Sequence, residues 1–437
     1  MINIDNNREL LNEFNILKKL YHPLIVDIHE VLEEPKKLYL IEELCMGGDV
    51  AHELQRRTAY SEEEAAHIIK GALLSIAYCH KKQIVHRNIK PGNFVFKKTG
   101  SKMAKLIDFG SAVDLNSKHH KERLPLQRMV GLTSHMAPEM LKECYNEKVD
   151  IWGLGVVLFE LLSNKLPFDG STDQELMLNI QDGSYQFTGP AWRYIKDEAK
   201  DLIKQMLTYN PNNRISAQKA LLHPWILANA PNQPNKQQLS DCIQNMIDCR
   251  FQNKIQEAVL SIICHRTINR EDQEILENAF LNIDLDNDGV ISYEEFQYAF
   301  NKYYKCSFAD DKGMSDEDES ETQFINTQHN PSSIDLEMVF LRCDLDQDGV
   351  IDWHDFMMTA CNKHRALSKY NLDEAFSSFD LFQKTFVTFD DFECAYGKFD
   401  QIGENVWEDI IIHTMGTEDG LISMKEFINI MSQLLKQ

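Results

Sequence analysis

The sequence predicts an α+β domain followed by an all-α domain, and three observations lead there. Short strand-like runs at Ile25–Leu32 and Leu38–Ile41 precede longer segments with helical apolar spacing. Charge divides unevenly: residues 1–230 carry 29 basic and 29 acidic side chains, whereas residues 231–437 carry 16 and 39, so the formal net charge of −23 falls entirely in the second part. That acidic part also holds two 12-residue loops, opening at Asp284 and Asp344, in which carboxylates alternate ahead of a glycine. A chain of 437 residues has room for each domain to bury its own core.

Composition removes several classes of function. Acidity of this size argues against a nucleic-acid partner, because phosphate backbones demand positive surface. No apolar run is long enough to span a bilayer; the longest, Ile151–Leu162, is short and interrupted by Glu160. Met1-Ile2-Asn3-Ile4-Asp5 lacks a signal-peptide pattern and has Ile2 where myristoylation needs glycine, so no membrane anchor is expected. Ten scattered cysteines without a Cys-x-x-Cys pair suit reduced core thiols in a cytoplasmic protein.

In the first part, Ser61-Glu62-Glu63-Glu64 has capping-box spacing ahead of Ala65, Ile68, Ile69, Leu73 and Leu74. That predicts a buried helix ending near His80. Asp150-Ile151-Trp152-Gly153-Leu154-Gly155 opens a second apolar helix through Leu162; its Gly-Leu-Gly has no third glycine and no preceding strand, so it reads as a packing surface. Between the two lie His86-Arg87-Asn88-Ile89-Lys90-Pro91-Gly92-Asn93, Asp108-Phe109-Gly110 and Ala137-Pro138-Glu139.

In this order and spacing the three motifs resemble the catalytic loop, metal-binding turn and activation-segment end of eukaryotic protein kinases, over roughly Arg8 to Trp225. The resemblance implies a protein-kinase-like fold with a partial N-lobe at residues 1–45 and a mainly helical C-lobe at 46–225. It also implies roles. Glu13 is similar to the helix glutamate that pairs with a nucleotide-positioning lysine. Glu42 stands at the gatekeeper position, and Glu43 to Cys45 resemble the hinge that meets the adenine of ATP. Asp49 resembles an acid that touches ribose and basic substrates. Lys90, Asn93 and Asp108 match the catalytic-loop lysine and the two Mg2+ ligands, while Glu139 and Arg214 match a structural ion pair.

Three departures from the pattern bear on chemistry. Asn88 stands where the family has the aspartate that accepts the substrate hydroxyl's proton, and an amide has no titratable carboxylate. The chain begins at the helix of Glu13, so the expectation is that the glycine-rich phosphate loop and strand lysine are absent. Leu132 occupies a position the family usually gives to Thr or Ser. Gly92 also replaces an acid that often reads basic substrates, although Asp49 and Glu160 remain.

In the second part, the loop from Asp284 to Glu295 fits the EF-hand pattern at each constrained position. Asp284, Asp286 and Asp288 supply hard oxygen ligands, Val290 its carbonyl, Ser292 a water-mediated contact and Glu295 a bidentate clamp. The second loop offers Asp344, Asp346, Asp348, Val350 and Asp352, then Asp355 where glutamate is usual. The shorter Asp355 side chain predicts weaker Ca2+ binding, or more Mg2+ character. A third loop, Asp380 to Asp391, has Phe382 and Lys384 at ligand positions and is expected to be empty. A fourth, Met415 to Glu426, keeps Asp419, Gly420, Ser423 and Glu426 and is expected to be empty or very weak. Loop starts separated by 60, 36 and 35 residues suggest four hands in two pairs, with an acidic insertion at 310–319.

Pro231-Asn232-Gln233-Pro234-Asn235 reads as a linker. Beyond it Leu239, Ile243, Ile247, Phe251, Ile255, Val259 and Ile263 recur every four residues, which predicts one apolar face on a long helix. Residues 226–270 are expected to form a linker and helix, and 271–437 an EF-hand domain. The complete order resembles the calcium-dependent protein kinases of plants and protists, in which such a helix blocks the kinase until calcium draws it away. The resemblance implies a junction helix within 226–270 and a calmodulin-like domain at 271–437. It also implies a calcium-regulated Ser/Thr kinase family member with protein substrates and an intramolecular junction-helix partner. Asn88 makes impaired catalysis the expectation; the alternative is a non-catalytic, calcium-switched binding or scaffold protein.

Overall fold

A computed structural model describes residues 4–34, 37–116, 134–142, 145–252, 254–305, 334–380, 384–388, 391 and 421–435. Leu132, the 310–319 insertion and Met415 to Gly420 lie outside them. Two compact units divide the chain, one of Met1–Asn232 with Asp286–Gly289 and one of Gln233–Leu285 with Val290–Gln437.

The first unit opens with α1 (Ile4–Leu17) and a hairpin of β1 (Ile28–Glu34) and β2 (Lys37–Glu42). The hairpin is antiparallel and two-stranded, with Leu32 opposite Tyr39; both are exposed, as is Ile41. Then come α2 (Val50–Arg56) and α3 (Glu62–Lys81). The expected capping box is present at the start of α3: Ser61 Oγ accepts from the Glu64 backbone while the Glu64 carboxylate accepts from the Ser61 N–H. Short strands follow, β3 (Ile84–Val85) paired with β6 (Val113–Asp114) and β4 (Phe94–Val95) with β5 (Lys105–Leu106).

α4 (Lys148–Ser163) is apolar on nearly every side and correspondingly buried, as a helix hydrophobic all round must be. A Cβ at Gly153 would lie 2.8 Å from Cβ of Ile89, so this glycine lets α4 approach the 86–93 loop. Its packing role agrees with the sequence reading. α5 (Asp173–Asp182), α6 (Asp197–Met206), α7 (Ala217–Leu221) and α8 (Pro224–Asn229) complete the unit. The Arg214 guanidinium donates to both Glu139 oxygens at 2.6 and 3.1 Å, to the Lys148 and Thr208 carbonyls, and lies over the Trp152 ring. A charge buried this deeply is tolerated only with such complete pairing.

The second unit begins with α9 (Lys236–Asp248) and α10 (Lys254–Ile262), followed by a π-turn at Ile263–Thr267. This corrects the expectation of one long helix. Four-residue steps overshoot the 3.6-residue turn by about 40° each, so six steps would swing the stripe through roughly 240° on a straight helix. A break after Asp248, where Cys249 turns extended, returns the stripe inward. Leu239, Ile243, Ile247, Ile255, Val259 and Ile263 are all buried, and Phe251, at the break, is half-buried.

α11 (Arg270–Ile283) and α12 (Tyr293–Ala299) flank the first loop; α13 (Leu336–Cys343) and α14 (Trp353–Ala360) flank the second. The two loops are joined by reciprocal backbone hydrogen bonds between Ile291 and Ile351, 2.8 and 2.9 Å. α15 (Lys363–Ala366), α16 (Lys369–Phe379), β7 (Phe386–Val387), β8 (Ile422–Ser423) and α17 (Met424–Ser432) follow, with β7 antiparallel to β8. Loops one and two are therefore joined, as are three and four. α9 packs within this unit: the Asn245 amide donates to the Ala360 carbonyl at 2.9 Å, and the Cys343 thiol donates to that of Met246.

Candidate functional site

The 86–93 loop is held from beneath by Asp150, in the first turn of α4. One carboxylate oxygen accepts from the His86 N–H and from His80 Nε2, both at 2.9 Å; the other accepts from the Arg87 N–H at 2.8 Å. Burial works against this carboxylate, but the bonds and charge of His80 outweigh it and hold its pKa below the ordinary range. The same bonds stabilise Arg87 at φ 68°, a left-handed backbone that a long side chain rarely adopts. Arg87 is further tied by its own side chain to the Ser111 carbonyl and the Tyr145 hydroxyl.

On this platform three of the sequence-predicted residues converge. The Asn88 amide donates to Oδ2 of Asp108 at 2.8 Å, and the Asn93 amide donates to the same oxygen at 3.2 Å and to the Asn88 carbonyl at 2.8 Å. Asp108 itself is left-handed, φ 67°. Glu13 reaches the same turn from α1, its carboxylate accepting the Phe109 N–H at 2.7 Å. Burial raises the Glu13 pKa above the ordinary carboxylate range, with Asp108 adding to the effect against that bond. Glu42 faces the same charges: burial, Glu13 and Asp108 push its pKa up to about 7. One carboxylate and one amide at Asp108 and Asn93 are a donor set that could hold Mg2+.

The other kinase-like positions sit apart from this network. Glu43 turns its side chain to Lys105, buried in β5, at 2.5 Å. Asp49 caps α2 by accepting the His52 N–H at 2.8 Å, and Cys45 is half-buried. Lys90 is half-buried at the head of a 3₁₀ turn, Pro91–Asn93, and among the described residues its ammonium makes no hydrogen bond to the Asp108 cluster. Glu160 accepts from or pairs with His135 Nε2 at 3.1 Å.

Acidic groups gather in the calcium-type loops. Ligand atoms of Asp284, Asp286 and Glu295 lie within 4.8 Å of one another, as do those of Asp344, Asp346 and Asp348. In the first loop both Glu295 oxygens accept backbone N–H groups, from Leu285 and Ser292. In the second, Asp355 Oδ2 is buried and has no hydrogen-bond partner. Burial, then Asp352 and Asp346, push the Asp355 pKa up to about 9. An orphaned carboxylate oxygen beside three further carboxylates fits a hard divalent cation. Glu295 joins its loop's cluster whereas Asp355 does not join its own, in keeping with the shorter aspartate side chain.

Comparison with known proteins gives these geometries a family. The protein kinase domain model matches residues 2–226, and the EF hand domain model matches residues 275–303. Calcium-dependent protein kinase 4 of Plasmodium berghei (strain Anka) is 30% identical over 434 residues, covering 98% of this chain and 79% of that protein. Calcium-dependent protein kinase 19 of Arabidopsis thaliana is 29% identical, covering 99% of this chain and 73% of its own length. The chain belongs to the calcium-dependent protein kinase family. Its EF-hand implies Ca2+ binding, and the kinase domain implies protein substrates. No helix among the described residues is long and apolar enough to cross a membrane.

Two residues that organise this family member's site escaped the sequence reading. Asp150 was visible as an acid opening an apolar helix, and an acid that must be buried there signals a specific partner. Lys105, an internal lysine in a strand, carries a similar signal.

Proposed function

We propose that this chain is a calcium-regulated family member whose catalytic loop is impaired in phosphoryl transfer. One observation carries the reading: at the base position the Asn88 amide donates 2.8 Å to Asp108. A donor in that place cannot take a proton from a substrate hydroxyl, and a positioned base is worth roughly 10²–10⁴-fold. In this reading Asp108 and Asn93 hold Mg2+ when it binds, and Mg2+ supplies neutralisation of phosphate charge. Lys90 steadies transferred charge, and Glu43, Cys45 and Asp49 meet the nucleotide. Asp284, Asp286, Asp288, Val290, Ser292 and Glu295 bind Ca2+ tightly, and Asp344, Asp346, Asp348, Val350, Asp352 and Asp355 bind it weakly. The described cysteines are free thiols, which supports a cytoplasmic location.

The Asn88–Asp108–Asn93 network also favours a second reading, a non-catalytic protein whose calcium response changes a binding surface. Its bonds hold the loop together through the protein's own donors. Transfer of radiolabelled phosphate from ATP to a mixed protein substrate, with calcium and with chelator, tests the first point. Negligible labelling is expected in both; robust calcium-stimulated labelling would overturn impairment, and a calcium-dependent change in protease pattern without labelling would favour the second reading.

A further inference from the structure

The third loop lacks acids at its third and fifth positions, yet its described residues repeat two backbone N–H to carboxylate hydrogen bonds of the second. In the second loop the oxygens of Asp344 accept from the N–H groups of Asp348 at 3.1 Å and Gly349 at 3.0 Å, positions five and six. In the third, the oxygens of Asp380 accept from the N–H groups of Lys384 and Thr385, both at 2.7 Å. The sixth residue is left-handed in each, Gly349 at φ 90° and Thr385 at φ 70°. A β-branched residue is an outlier there, and such a conformation persists only where its surroundings over-determine it.

The group that closes this loop is the neighbouring side chain. The Lys384 ammonium lies 2.9 and 2.7 Å from the two oxygens of Asp391, the loop's twelfth residue. Asp391 also accepts the Thr388 N–H at 2.8 Å and hydroxyl at 2.6 Å. In a calcium-binding loop the twelfth carboxylate is the group that closes on the ion with both oxygens. We propose that Lys384 is the resident cation of the third loop, so that this loop closes and pairs through β7 and β8 with the fourth without calcium. Burial tends to raise the Asp391 pKa, and the bonds from Lys384 and Thr388 reverse the shift, as expected of a carboxylate held ionised.

The consequence is a division of labour inside the EF-hand unit. The Gln256 side chain, fully buried on α10, donates to the Ile430 carbonyl of α17 at 2.9 Å. This bond ties α10 to the pair closed by lysine, although α10 also packs against α14 of the other pair and the Cys264 thiol donates to the Met357 carbonyl there, so the junction segment touches both pairs. Calcium then acts on one pair and leaves the other as a fixed anchor. This inference is independent of catalytic competence.

Hydrogen exchange on the full chain, in chelator and in saturating calcium, tests it. In the parent protein, amides of Phe386–Val387 and Ile422–Ser423 should be protected to within about twofold in the two conditions. Lys384→Met should speed their exchange by roughly tenfold or more in chelator, the scale of a lost charge-assisted bond. Lys384→Arg should retain protection, which separates charge from packing of the stem. Lys384→Asp, which restores an acid at the fifth position, should make protection rise with calcium. Protection in the parent that rises tenfold with calcium would overturn the proposal. So would unchanged exchange in Lys384→Met, or equal loss in Lys384→Met and Lys384→Arg.

Discussion

Asp108 and Asp355 both stand where family motifs place a cation ligand, but the protein gives them opposite surroundings. One oxygen of Asp108 accepts two amide N–H groups. One oxygen of Asp355 is buried with no donor at all, among Asp344, Asp346 and Asp352. The difference lies in who completes the carboxylate. Where the chain supplies donors to the carboxylate oxygen, the site holds together by itself; at Asp355 the Leu345 N–H acts on the carboxyl but Oδ2 is left without a donor among further carboxylates, an arrangement suited to a cation.

The largest test of that contrast is in the calcium loops. Glu295→Gln should remove the tight phase of calcium titration by calorimetry, weakening it by at least the roughly 10–100-fold that loss of an outer partner costs. Asp355→Asn should alter the weak phase alone. A tight phase that survives Glu295→Gln would break the assignment of the first loop.

The next test reverses the contrast at Asp108. Asn88→Asp would set two carboxylates where a 2.8 Å hydrogen bond now stands. Stability in chelator should fall by about 1.5–3 kcal/mol, the scale of a hydrogen bond to a charged group, and added Mg2+ should recover much of it. A melting temperature indifferent to Mg2+ in the variant would show that the amide is not replacing a cation.

A smaller effect should follow pH at Glu42. Its folded pKa is raised from 4.5 to about 7 by burial, Glu13 and Asp108. The folded state therefore binds the proton more tightly than the unfolded chain. That contribution is fully present below about pH 4.5 and is lost as pH rises through about 7. Glu42→Gln should gain on the parent across this window, by on the order of 1–2 kcal/mol after allowance for solvent screening. Denaturant midpoints measured at pH 4.5 and 7.5 would show it; an equal gap at both would refute it.

The smallest expected effect is local. The β1–β2 hairpin has two strands with Leu32, Tyr39 and Ile41 exposed, whereas α4 is buried at all but Lys148 and Glu160. Isolated hairpins are marginal, so amides of 28–42 should exchange faster than those of Ile151–Leu162. Equal protection would place the hairpin within the cooperative core.

Much of the candidate site was legible in the residues because motif chemistry is local. Asn88, Asn93 and Asp108 were recognisable from order and spacing, and the first two calcium-type loops from alternating carboxylates around a glycine. Capping at Ser61 and burial of the 151–162 run were similarly written in short-range pattern. Partnership between distant residues was not. Nothing in the spacing shows that Asn88 donates to Asp108, that Glu43 turns to Lys105, or that Asp150 holds His80, His86 and Arg87. The 239–263 stripe also required tertiary packing to break its helix, since a four-residue repeat cannot stay on one straight face. Sequence determined which groups could act as acids, amides and cations. Tertiary structure decided which of them meet, because hydrogen-bond energy depends on small changes of distance between residues such as Gln256 and Ile430, 174 positions apart.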